Sequence, residues 1–265
     1  MKYCPGILIA MLILMFVSCG PSQEDRARMR LDQARKFLQD RDTAKALLEV
    51  DSIPVLFPKA MYSVKAAKDL KNTINMDKFQ RYNQELDSLE SSITQLEKNF
   101  IKEKGEFDQY IQYTYKRQNF NQRWNKSFLQ VHLNEMGDIY FSSNYYGEHW
   151  LNHTGIRVYD GKLQAKTDKV PLGDVNNHHS DFMDEKWEKV TYRNGKEENV
   201  IKFIAENANR NLKAVFLGSR YYYIILESYD KEAFKEAYQL SLDLKKRIKL
   251  NNEIKQLQAA LNIES

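Results

Sequence analysis

Cysteine is nearly missing from this chain: of 265 residues, only Cys4 and Cys19 carry a thiol. A disulfide framework is thereby excluded, and the fold must rest on packing. Glycine is sparse too, ten in all, and none of the ten builds a loop that carries chemistry. No Gly-x-Ser-x-Gly turn, no phosphate-cradling glycine loop and no dinucleotide fingerprint occurs. The apolar run at 7–17 falls short of the roughly 20 residues that a membrane-spanning helix needs. A large excess of charge is also lacking. The formal charge is +4, and segment 106–230 holds 16 basic against 17 acidic residues. That balance excludes the basic face on which nucleic-acid binding depends.

What is present begins with Lys2, the short apolar core at 7–17 and small residues after it, the signature of a secretory signal peptide. Residues 1–18 are therefore expected to be removed. The end of the run, Phe16-Val17-Ser18-Cys19-Gly20, resembles the lipobox of bacterial lipoproteins, whose usual pattern has Leu where Phe16 stands. The resemblance implies cleavage before Cys19, a diacylglycerol thioether on its sulfur and a fatty acyl group, such as palmitate, on the new amino terminus. It also implies a membrane as partner, held through the lipid, and a place on the outer membrane of a bacterial envelope, periplasmic or surface-exposed. Cys4 then leaves with the signal, and the lipid takes the one remaining sulfur. The acidic stretch Gln23-Glu24-Asp25 resembles the surface-export signals of Bacteroidetes lipoproteins; the other reading is a solvated tether.

Helical patterns follow. Leu31, Ala34 and Leu38 share one face and Ala44, Leu47 and Leu48 the next, with Asp42 placed to cap the second helix. Pro54 is expected to end that helix and Pro58 to open a third. The pair is similar to one tetratricopeptide unit, but such arrays need about three units, so a single helical hairpin is the better reading. Asn72–Asn75 marks a possible break. From Phe79, apolar residues recur through Tyr82, Leu86, Leu89, Ile93, Leu96 and Phe100, a heptad seam. A second long stripe runs from Phe234 to Leu261, and its basic run at 245–249 reads as a solvated face. Between these helices the period changes to two. Short strands are expected at Leu129–Leu133, 139–143, 156–158, 190–193, 200–205, 212–217 and 221–227, with turns at Gly137, Gly161 and Asn194-Gly195. Segment 107–123 is ambiguous between helix end and linker.

Few residues suggest chemistry. All five histidines fall in the middle segment. His149 and His153 have zinc-helix spacing, but Trp150 replaces the glutamate that such a site needs as general base. Solvated or locally bonded histidines in a loop fit them better, and 174–185, whose histidines at 178 and 179 break a calcium-loop pattern, reads as a long solvated loop. No metal ligand set and no cofactor is expected. Tyr145, Tyr146 and Trp150 crowd a stretch read as a turn, where exposed aromatics can stack on sugars or anchor a protein. The triplet Tyr221–Tyr223 reads as a strand with part of it in the core.

The expected fold is α+β: tether and N-terminal helical hairpin (19–74), a stalk of two long antiparallel helices (75–105 and 231–265) and an antiparallel β-meander domain (106–230). The layout resembles lipoproteins of Bacteroidetes-type bacteria. The expected function is a non-catalytic envelope scaffold or protein-binding module. A carbohydrate-binding lipoprotein using Tyr145, Tyr146 and Trp150, and a metal-dependent hydrolase built on the histidine segment, are the alternatives. The partner is an envelope protein or glycan, not nucleic acid.

Overall fold

The computed structural model describes residues 21–118, 123 and 125–263. The segment expected to be a signal peptide (1–18) and Cys19 lie outside the described residues. The described chain is α+β, and it forms two compact units. One contains the residues up to Asn83 together with those from Ile254; the other is Gln84–Glu253.

The first unit is helical: α1 (Gln23–Gln39), α2 (Thr43–Leu56) and the start of α3 (Met61–Glu97). The tether reading of 23–25 is overturned. Ser22 caps α1 by accepting from the Asp25 amide, and the Asp25 carboxylate accepts from Ser22 N–H in return, a reciprocal box that satisfies two orphan donors. Glu24 is used as well. Its Oε1 accepts from Ser63 N–H (2.8 Å) and Oγ–H (2.6 Å), which caps the first turn of α3 from another helix. Asp42 caps α2 by accepting from the Lys45 amide. Pro54 sits inside the last turn of α2 rather than ending it, and α3 opens at Met61, three residues past Pro58. The core is built of small and branched aliphatic residues, Ala27, Leu31, Ala34, Val50, Ile53, Ala60 and Ala67. Asn72–Asn75 breaks nothing, because α3 runs through it.

The second unit holds ten strands in two antiparallel sheets. One has the order β1 (Phe100–Glu103), β2 (Gln112–Tyr115), β3 (Phe128–Asn134), β4 (Ile139–Gly147), β8 (Glu185–Tyr192), β7 (Asn177–Phe182). The other runs β10 (Tyr221–Ile225), β9 (Lys213–Leu217), β5 (Gly155–Asp160), β6 (Leu163–Lys166). A simple meander is therefore wrong, since β5 and β6 leave the first sheet to pair with β9. The sheet also begins earlier than expected. Phe100 opens β1 instead of closing the helical seam, because α3 stops at Glu97. Part of the ambiguous 107–123 segment is strand β2.

The strand expected at 200–205 is helix α4 (Val200–Glu206). Its buried residues, Val200, Ile201, Ile204 and Ala205, fall at i, i+1, i+4 and i+5. That spacing makes one face of a helix but would split across both faces of a strand. Helix α5 (Ser228–Leu261) lays Ala233, Phe234, Ala237, Leu240 and Leu244 into the core, with Phe234 edge-on to Phe141 of β4. Ser241 Oγ–H donates to Gly137 O. The end of α3 lies beside α5 through Glu85–Lys246, Glu90–Arg247, Ser92–Asp243 and Asn99–Glu236.

Candidate functional site

Strand β4 is central, with β3 on one side and β8 on the other. Alternation along it sends Phe141, Ser143 and Tyr145 to the face packed on Phe216 and Phe234, and Ser142, Asn144 and Tyr146 to the opposite face. The two faces hold two different constellations.

On the inner face, Ser143, His153, Glu188 and Tyr192 form a chain of hydrogen bonds. Glu188 accepts from the backbone amides of Leu151, Asn152 and His153 at 2.6, 2.8 and 3.0 Å, and from the His153 ring at 2.5 Å. A carboxylate taking four donors is ionised. Burial alone would raise the Glu188 pKa, but the bonds from His153 and the loop amides hold it below the usual carboxylate value. The proton of His153 is thus on Nδ1, and Nε2 is left to accept from Ser143 Oγ–H at 2.7 Å. Tyr192 O–H completes the line at 3.3 Å from Ser143 Oγ. Burial pushes the His153 pKa down against the pull of Glu188, so the ring is neutral.

Ser–His–Glu in this order is the connectivity that activates a serine nucleophile. Here the relay is closed off from solvent. None of the four side chains is more than 1% exposed. Ser143 also lies opposite Leu129 on one neighbour and Val190 on the other, so the strand amides beside it are engaged in ladders and none is free as an oxyanion donor. The relay instead fastens the 148–154 loop to β8. Gly218 closes the same loop: a Cβ there would lie 2.2 Å from Leu151 O. His153 is thus a core residue bonded to distant partners, neither solvated nor locally bonded as expected, and His149 does not join it. Segment 174–185 is not a long loop either. It runs into β7, turns at Met183-Asp184 and returns as β8. Among the described residues, no group of three or more His, Cys, Asp or Glu side chains is disposed to hold a metal ion.

The outer face carries the groove. Two adjoining cavities, of about 560 and about 460 Å³, share Arg123, Lys126 and Phe128. His178, Trp187 and Lys189 line the first; Tyr146, Tyr222 and Tyr229 line the second. Arg123 is 4% exposed. Its guanidinium lies between the rings of Phe128 (4.6 Å) and Tyr229 (4.5 Å). Nη2 stands 2.7 Å from Asp230 Oδ1, yet neither Nη atom makes a well-formed hydrogen bond. Asp230 is held instead by Gln118, whose Nε2–H donates to Oδ1 at 2.8 Å and to Leu129 O at 3.0 Å. Burial raises the Asp230 pKa, with Arg123 opposing the rise.

The three aromatics expected to form an exposed turn are separated. Tyr145 is a buried residue of β4 whose O–H donates to His149 O at 3.0 Å. Tyr146, one residue on, faces Trp187 at 5.2 Å on the other side of the sheet. Trp150 stacks on His179 at 5.0 Å. Tyr145 borders the first cavity and Tyr146 the second, while Trp150 borders neither, so the three do not form the single sugar-stacking platform expected of them. The triplet Tyr221–Tyr223 is reversed as well, being largely exposed on β10. A lone arginine between Gln122 and Trp124 carries no periodic signal, so the sequence does not mark Arg123.

No family model, no curated protein and no solved structure matches this chain. No helix among the described residues is long and apolar enough to cross a membrane.

Proposed function

We propose that this is a lipid-anchored envelope protein that binds a protein partner and performs no chemistry, with the groove around Arg123 as its binding surface. The observation that carries the reading is Arg123 itself: a guanidinium buried at the junction of two cavities, with hydrogen-bonding capacity left over. A buried donor without an acceptor is costly, and a carboxylate or backbone carbonyl of a partner segment supplies one. The flanking aromatics give that segment an apolar seat. The sealed relay on the inner face supports binding over hydrolysis. The lipobox at Cys19 supports the anchor. The polar pairs between α3 and α5, which run in opposite chain directions, support an antiparallel helical stalk.

The test is a photo-crosslinking residue at position 126, beside Arg123, in intact cells. The expected result is one dominant protein adduct from membranes, absent when the residue is moved to position 202 on α4. Cys19→Ser should release the chain from membranes or leave it uncut. Identical adducts from both positions would dismiss the groove, and a Cys19→Ser chain that is cut and fractionates like the wild type would dismiss the anchor.

A further inference from the structure

The second sheet has a feature that the groove does not explain. On the outer face of β5 and β6, Arg157 lies directly opposite Lys166 in the ladder. Like charges directly opposite on one sheet face repel and destabilise the pair. Neither residue has an ion-pair partner among the described residues, nor has Lys169 just beyond the strand. The Arg157 guanidinium rests over the Tyr159 ring at 5.4 Å, and its Nε is buried with no hydrogen-bond partner. These three cations line one cavity of about 710 Å³ whose walls hold no carboxylate. Asp168 and Glu198 line a neighbouring depression. The remaining polar wall is neutral: Asn152, Gln164 and Tyr221 offer amide and phenol groups.

We propose that this cavity binds an anionic saccharide, a sugar unit bearing a carboxylate or a phosphate. The anion bridges Arg157 and Lys166 and cancels their repulsion, since a guanidinium with a free Nε–H offers a fork to an oxyanion. The amides of Asn152 and Gln164 suit hydroxyl groups, and the exposed Tyr221 ring suits a sugar face. The site is separate from the Arg123 groove and does not depend on what that groove binds.

Calorimetric titration of the protein at low salt with trigalacturonate, mannose 6-phosphate, maltotriose and inorganic phosphate tests this. One or both charged sugars should bind at least about tenfold more tightly than maltotriose or phosphate, and which one does so identifies the anion. Arg157→Gln should weaken that binding by about tenfold or more. Lys166→Glu decides between function and folding, because it replaces the like-charge pair with an opposite pair at an exposed sheet edge. It should raise the Tm by about 1–4 °C while abolishing binding. Maltotriose binding as well as the charged sugars, phosphate binding as well as either, no binding at all, or undiminished binding by Lys166→Glu would each overturn the proposal.

Discussion

Glu188 concentrates more hydrogen bonds than any other side chain in the second unit's core, and its removal has a definite expected cost. Glu188→Gln keeps the shape but turns an amide N–H₂ toward donors that need an acceptor. The loss should be about 2–4 kcal/mol in chemical denaturation, against less than about 0.5 for the exposed Glu206→Gln. A Glu188→Gln protein as stable as wild type would show that the loop does not depend on this carboxylate. The backbone donors from Leu151, Asn152 and His153 reach Glu188 across more than 30 positions of sequence, so no local pattern announces them. His153 reads as solvated or locally bonded for the same reason: its partners come from β4 and β8.

The β7–β8 hairpin shows what an element tolerates when its ladder is strong. Its two loop residues, Met183 and Asp184, have φ of 49° and 68°, and the pairs continue to Phe182–Glu185. A two-residue loop with both φ values positive favours Asn-Gly. Met at the first position is strained there and hides the turn from sequence reading, so the segment looked like a loop. The double change Met183→Asn with Asp184→Gly should stabilise the protein by about 1 kcal/mol, read as a shift of the denaturation midpoint at constant slope. A fall in stability would mean that the exposed Met183 side chain contributes packing not visible in the strand register. The reverse case is Asn194-Gly195, where the turn forms, with Lys196 N–H donating to Arg193 O. The chain beyond it becomes helix α4 rather than a returning strand, because the next apolar residues repeat with helical spacing.

For the molecule as a whole, the neutral, half-buried His132 and the buried His153 shape the response to acid. Burial, with Lys189 and Arg193 adding like charge, pushes His132 from 6.5 down to about 3, and burial lowers His153 as well. The folded pKa lies below the unfolded one, so the unfolded chain binds more protons between the two. Stability is full above about pH 6.5 and falls as the pH drops from there toward about 3. The Tm should be flat from about pH 8 to 7 and decline below about 6.5. His132→Gln should reduce the slope between about pH 6 and 4 without removing it, because His153 remains. A protein that gains stability on mild acidification would contradict both assignments.

The sequence by itself determined the elements whose partners are near in the chain. The paired N-terminal helices, the Asp42 cap, the two long helices and most strands of the second unit follow from local periodicity and from turn residues that act within four positions. The proposed lipobox at Phe16–Gly20 is likewise a linear motif, and it rests on the sequence alone. Tertiary structure alone decided how ten strands divide into two sheets, that Tyr145 turns inward while Tyr146 turns outward, and that Arg123 comes to rest between Phe128 and Tyr229. It alone set Arg157 opposite Lys166. Register between strands is chosen by burial of the whole inner face, and that choice is made across the molecule, between residues whose neighbours in the chain say nothing of it.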